Sequence, residues 1–238
     1  MIPKTIHYCW FGHNPLPESA IKCIESWKKF FPDYEIREWN EDNFNVDIIP
    51  YTKDAYEAKK YAFVSDYARF WILEKFGGLY FDTDVEVIKS MEDIIAEGAF
   101  LGAEIDGEKE KGEYPKVAPG LCIGAYAHMP FYQEVIKCYD NLNFWGEDGR
   151  FNKYTMIPLV TDLLKELGMQ ASNTIQKVGD ITIYPAEYFN PLDIGTGELR
   201  VSKNTRSIHW FMASWLPPQP VWKKKIKQYI RRFLKLFK

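Results

Sequence analysis

Between Ile6 and Trp39 the apolar pattern changes period twice, and this switch constrains the fold more than any other feature of the chain. Ile6 to Phe11 is a short run rich in β-formers, and Gly12 with Pro15 and Pro17 ends it in a loop,. From Glu18 onward Ala20, Cys23, Ile24, Trp27, Phe30 and Phe31 recur at three- and four-residue spacing until Pro32 stops them, which predicts an amphipathic helix,. Tyr34-Glu35-Ile36-Arg37-Glu38-Trp39 then alternates with period two,. A strand, a helix and a strand in that order open an α/β domain. The 238 residues, 46% hydrophobic and 16% aromatic, suffice for one sizeable core,.

Further along, helical patterns are expected over roughly Asp54 to Tyr61 and from Ser65 to Phe76, with Ser65 as N-cap, Asp66 in the first turn and Gly77-Gly78 closing the helix,. Leu79-Tyr80-Phe81 follows as a short strand that delivers Asp82 and Asp84 at its end. Val85 to Val87, Ala99 to Ala103, Ile181 to Tyr184 and Ser207 to Trp210 read as strands. Pro130 to Leu142 and Tyr154 to Leu167 read as helices, and the charged Asp106 to Lys116 stretch as a mobile surface loop,.

Composition removes several classes of function. The cysteines Cys9, Cys23, Cys122 and Cys138 form no CxxC pair and read as reduced core residues,. His7, His13, His128 and His209 make no local zinc array,. Neither a secretory signal nor an apolar run near the ~20 residues of a bilayer span is apparent, so a cytoplasmic protein is expected,.

Two carboxylates at i and i+2 behind a strand can both present oxygens to one hard cation if the segment stays extended. Such a cation keeps free positions for phosphate oxygens, which is how Mg2+ or Mn2+ holds nucleotides. A D-x-D is also what two solvated turn aspartates look like. Asp66 and Arg69, three apart on a helix, share a face and are either a local ion pair or a pair of ligand contacts,.

These residues carry a resemblance. Ile2-Pro3-Lys4-Thr5-Ile6-His7-Tyr8-Cys9-Trp10-Phe11-Gly12, Ser65-Asp66-Tyr67-Ala68-Arg69 and Gly77-Gly78-Leu79-Tyr80-Phe81-Asp82-Thr83-Asp84-Val85 resemble the DXD-bearing glycosyltransferase family 32. That family is similar to the yeast initiating α-1,6-mannosyltransferase and the catalytic domains of the large glucosylating toxins, and includes many bacterial capsule enzymes. The match returns at Tyr184 to Pro191 and His209 to Trp215. It implies a GT-A type, Rossmann-like mixed sheet flanked by helices over residues 1–216, and transfer of a hexose or N-acetylhexosamine from a nucleotide sugar, with a lean towards UDP and with retention of configuration. Trp10 would lie on the base, with Tyr80, Asp82, Thr83, Ser214 and Trp215 on the donor. Asp66 and Arg69 would contact the donor sugar, and Asp82, Asp84 and His209 would hold Mn2+ or Mg2+. Ala118-Pro119-Gly120-Leu121-Cys122-Ile123-Gly124-Ala125 departs from the pattern by lacking a polar residue that would contact sugar. The rival readings are a haloacid-dehalogenase-type phosphatase, which also carries D-x-D behind a strand, and a non-catalytic sugar-binding or membrane-adaptor protein.

The C-terminal stretch stands apart. Eight of the 30 basic residues lie between Lys223 and Lys238, with no acidic residue among them, so the rest of the chain is more acidic than the formal net charge of -3 suggests,. Ile226, Tyr229, Ile230, Phe233, Leu234 and Phe237 follow helical spacing behind Pro217, Pro218 and Pro220. Residues 217–238 are therefore expected to form a Pro-rich hinge and a basic amphipathic helix, with 221–238 meeting an anionic membrane surface. Packing on protein is the alternative. Nucleic acid is not the expected partner, because phosphate contact needs no apolar stripe. A transferase held at the inner face of the cell membrane would take a saccharide or lipid-linked saccharide acceptor.

Overall fold

The computed structural model describes residues 1–152 and 156–212. The opening pattern is realised as β1 (Thr5–Cys9), α1 (Glu18–Phe30) and β2 (Glu35–Trp39). Helix α1 buries Ala20, Cys23, Ile24 and Trp27. Trp27 is fully buried and its indole N–H donates to the Val85 carbonyl at 2.7 Å, so its large ring enters the core without stranding a polar group,.

Two helices follow, α2 (Pro50–Glu57) and α3 (Tyr61–Phe76). Helix α3 therefore begins four residues before Ser65. No side chain caps it at Lys60, and the Ser65 hydroxyl donates back to the Tyr61 carbonyl at 3.1 Å. A serine one turn inside a helix bonds i−4 in the way an N-cap serine bonds forward, which is why the sequence misleads. Phe63, Val64, Asp66, Tyr67, Ala68, Arg69, Phe70, Ile72 and Leu73 are all buried. A helix apolar on nearly every side lies within the core, and this one takes a carboxylate and a guanidinium in with it.

At its end Gly77 and Gly78 both have positive φ, 63° and 99°. A Cβ at Gly78 would come within 2.6 Å of the Thr5 carbonyl oxygen, so the turn into β3 (Gly78–Tyr80) needs glycine,. The remaining elements are β4 (Val85–Val87), α4 (Glu92–Ala96), β5 (Phe100–Ile105), β6 (Lys116–Val117), β7 (Ile123–Ala125), α5 (Pro130–Asp140), α6 (Met156–Glu166), β8 (Gln176–Val178), β9 (Ile181–Tyr184), α7 (Ala186–Phe189), β10 (Leu192–Asp193), β11 (Glu198–Leu199) and β12 (Ser207–His209). The expected mobile loop after β5 contains a 3-10 turn at Lys109–Lys111 and a reciprocal backbone pair between Glu108 and Glu113. Its side chains are largely exposed, but its backbone groups bond locally.

The main sheet runs β2-β1-β3-β7-β5-β9-β8, with β6 added to β5. Strand β1 is parallel to β2 and β3, β7 is antiparallel to β3 and β5, and β9 is parallel to β5. The carboxyl ends of β1, β2, β3, β5 and β9 therefore share one edge, where open α/β sheets bind ligands. Alternate residues feed a core on each face: Leu79, Phe81 and Phe100 join one, Tyr80, Leu101 and Ile123 the other,. A separate ribbon pairs β12 with β4, His209 opposite Val85. Among the described residues no helix is long and apolar enough to cross a membrane. The cysteines are free, and burial pushes the Cys9 and Cys23 thiols up to about 12, as inert packing groups,.

Candidate functional site

The Asp82-Thr83-Asp84 segment is a turn, not the extended strand end expected from the sequence. The Asp82 carbonyl accepts from Val85 N at 3.0 Å, and Asp82 N donates to the Gly120 carbonyl at 3.2 Å. The two carboxylates converge because the chain folds back, not because alternate residues of a strand face one way.

The ribbon completes the cluster. His209 Nε2 lies 3.0 Å from Asp84 Oδ1, while Asp84 Oδ2 accepts from Met212 N at 2.9 Å. Asp82, Asp84 and His209 offer ligand atoms that lie within 4.8 Å of one another. Burial alone would raise the Asp84 carboxyl, but the bond and charge of His209 bring it below its usual range. Burial alone would lower His209, and Asp84 instead holds it above its usual value. Its Nδ1 is buried with no partner among the described residues. Two hard carboxylates and one imidazole fit Mn2+ or Mg2+, with the nitrogen favouring Mn2+.

Behind this cluster lies a buried charge network. Arg69 is 2% exposed, and its Nη2 reaches Asp66 Oδ1 at 3.0 Å and Asp82 Oδ1 at 3.1 Å, while Nε donates to the Ser65 carbonyl at 3.1 Å. Burial opposes the guanidinium charge, but Asp82, Tyr80 and Asp66 hold its pKa above the usual range. Burial raises Asp66 to about 6 against the pull of Arg69, and raises Asp82 in the same way. Nη1 of Arg69 is buried, and its N–H groups are the part of this desolvated guanidinium without a protein partner among the described residues,. Of the sequence alternatives for Asp66 and Arg69, the structure shows the local pair, extended to Asp82.

Tyr80 is 1% exposed, and its hydroxyl donates to Asp82 Oδ1 at 3.2 Å, with the Arg69 guanidinium 4.9 Å from its ring. Tyr80 thus lies buried against Asp82 and Arg69. Thr83 is 9% exposed within the turn. Trp10 is half-buried beyond the end of β1, its indole N–H bonded to the Asn14 carbonyl at 2.7 Å. The next residues, Gly12 and His13, have positive φ of 98° and 55°, and Gly12 N donates to Glu41 Oε1. Glu41, unnoticed in the sequence, thereby fixes the loop that carries Trp10.

Gly120 also gains a reason. A Cβ there would collide with Asp82 Oδ2 and lie 3.1 Å from Arg69 Nη1. The backbone at Gly120 thus passes close to Asp82 and Arg69. Ser214, Trp215, Tyr154 and the whole 217–238 segment lie outside the described residues.

Residues 17–101, which include Asp66, Arg69, Asp82 and Asp84, match the family model of the glycosyltransferase sugar-binding region containing the DXD motif. Mannosyl phosphorylinositol ceramide synthase CSH1 of Saccharomyces cerevisiae is 24% identical over 79% of this chain and 49% of its own length. The uncharacterized glycosyltransferase L373 of Acanthamoeba polyphaga mimivirus is 29% identical over 58% and 55% respectively. Inositol phosphoceramide mannosyltransferase 3 of Schizosaccharomyces pombe is 31% identical over 40% and 27%. The chain spans about half or less of the length of these curated relatives. In fold it is similar to a glycosyltransferase involved in the glycosylation of the major capsid of PBCV-1, with a TM-score of 0.53 and 13% identity over 97% of this chain and 100% of that one. It is also similar to the PaToxG glycosyltransferase, at 0.50 and 19% over 69% of each.

Proposed function

We propose that this chain, which over residues 17–101 carries the DXD sugar-binding region of the glycosyltransferases, is a metal-dependent, retaining glycosyltransferase. It would move a hexose or N-acetylhexosamine from a nucleotide sugar, UDP-linked by preference, to a saccharide or lipid-linked saccharide. The observation that carries this reading is the meeting of Asp82, Asp84 and His209 at the carboxyl edge of the sheet, directly over the buried Asp66–Arg69 pair. The inositol phosphoceramide in a relative's name supports a lipid-borne acceptor. The basic stripe of 221–238 supports a peripheral place on the cytoplasmic face of a membrane, in surface polysaccharide synthesis of the capsule type,.

When bound, the divalent cation supplies positive charge for the departing diphosphate. The chain's own residues do the rest. Asp82 and Asp84 give the cation site its oxygens and His209 its nitrogen. Arg69, fixed on three sides, keeps its Nη1 amino group for the donor and does not reorganise as charge develops, which is where electrostatic catalysis gains most,. Tyr80 holds Asp82, and Met212 N holds Asp84. Trp10 offers the base an aromatic face. Among the described residues at the site, Asp82 and Asp66 are both engaged by Arg69 rather than free to attack. Same-face displacement by the acceptor hydroxyl is the route this reading favours.

The test is stabilisation by UDP-glucose, UDP-galactose, UDP-N-acetylhexosamines or GDP-mannose with Mn2+, followed by donor hydrolysis. A donor at a hundred times its Kd adds about 2.7 kcal/mol of apparent stability. Asp84→Ala should fold and lose both effects. A protein that no donor stabilises, or a folded Asp84→Ala that hydrolyses donor at the original rate, ends the proposal.

A further inference from the structure

The proposed donor site occupies the ends of β1 and β3, but the ligand-binding edge continues past them. Strand β5 runs in the same direction as β3, two places along the sheet with β7 between. Two interstrand spacings separate the two strands by roughly 10 Å, and because Leu101 lies level with Tyr80, β5 runs on past the end of β3. Glu104 stands there.

Three observations describe the strand around it. Phe100 and Gly102 face α7: the Phe100 ring stacks on Phe189 at 5.7 Å, and a Cβ at Gly102 would meet the Phe189 ring within 2.6 Å. Leu101 faces the opposite core. The face that carries Phe100 and Gly102 packs against α7, which in turn contacts β12. Ala103 pairs with Val117 and Ile105 with Lys116, so Glu104 is the extra residue of a β-bulge, a device that re-aims a side chain near a site,. The Asn190 amide donates to the Glu104 carbonyl at 3.0 Å and holds the bulge.

The carboxylate itself is half-buried and makes no hydrogen bond or ion pair with a side chain among the described residues. Burial holds it above its usual range, while the charges of His209 and Lys116 pull the other way. An anionic, acceptor-only group repels a diphosphate and suits the donor hydroxyls of a sugar.

We propose that Glu104 is an acceptor-binding residue, accepting hydrogen bonds from the hydroxyls of the incoming saccharide on the β5 side of the metal cluster. The inference rests on the transferase reading, and two measurements separate them. Stabilisation and hydrolysis of the donor with Mn2+ test the transferase reading alone, and Glu104→Gln should match the wild type within about twofold in both. Transfer to the methyl α-glycosides of mannose, glucose, galactose and N-acetylglucosamine tests Glu104. For whichever glycosides the wild type uses, Glu104→Gln and Glu104→Ala should raise the acceptor KM at least tenfold, a loss of roughly 1.4 kcal/mol. An unchanged acceptor KM overturns the inference. So does a parallel loss of donor affinity, which would put Glu104 on the donor or in the fold. A wild type that hydrolyses donor yet transfers to none of the four also counts against it.

Discussion

His7 offers a test of the fold through pH. It sits in β1, 1% exposed, between two fixed partners. The Trp39 indole N–H, which can only donate, lies 3.0 Å from Nδ1, so Nδ1 accepts and the proton sits on Nε2, donating to the Gly77 carbonyl at 3.0 Å,. Protonating Nδ1 would set two N–H groups against each other inside the core. Burial lowers its pKa from 6.5 to about 4; the Arg37 charge adds to this, and the Gly77 carbonyl and Glu35 oppose it. Because the folded value is depressed, the unfolded chain takes up the proton first. Stability is therefore complete above about pH 6.5 and is lost as pH falls towards 4. At 1.36 kcal/mol per unit the full loss is about 3 kcal/mol, and about 2 kcal/mol of it falls between pH 7.5 and 5. Asp66 works the other way. Its folded pKa, raised to about 6, makes its charge a cost above that pH and relieves the cost below it,. Urea unfolding of the wild type and His7→Gln at pH 7.5, 6 and 5 separates the two, because both proteins share Asp66. The variant should lose about 1 kcal/mol at pH 7.5, from weaker bonds to Trp39 and Gly77, and the gap should close, then reverse, by pH 5. Parallel curves, or a His7 titration midpoint near 6.5 by NMR, would refute the reasoning.

Three further outcomes follow from the site and the tail. Arg69→Ala leaves Asp66 and Asp82 buried beside each other without their cation, and should cost about 3–5 kcal/mol in chemical denaturation; a loss under about 1 kcal/mol would mean that the pair is solvated. Gly120→Ala drives a methyl group into Asp82, so Mn2+ affinity, read by calorimetry, should fall at least tenfold while stability falls by about 1–3 kcal/mol; full metal affinity would show that the loop simply yields. Deleting residues 221–238 should release the protein from anionic vesicles in a flotation assay and leave donor hydrolysis intact; unchanged flotation would remove the membrane proposal.

Much of the architecture was legible because periodicity reports burial. The change from alternation to 3.6 spacing between Ile6 and Trp39 located β1, α1 and β2 closely, and Gly77-Gly78 marked the end of α3. The start of α3 was not legible, because Ser65 and Asp66 imitate a cap while the true start at Tyr61 carries no capping side chain. The acidic motif was legible as chemistry, but its turn geometry depends on Gly120, a partner thirty-eight residues away. His209 was reachable only through resemblance, since pairing with β4 is a tertiary fact. Glu104 gave no signal at all. A bulge is a property of two strands, and the sequence of one strand does not contain it.

The β4–β12 ribbon also sets the order in which the site can come into being. The strand that carries Val85 leaves the ribosome long before the one that carries His209, and until the two meet, Asp84 lacks the backbone and imidazole groups that orient it. A nascent or truncated chain could build most of the main sheet and still offer a cation only a bare turn. Assembly of the three-residue cluster thus requires the chain through Met212, and under the proposed function capture of an ion would be a late, checkable event in folding rather than its starting point.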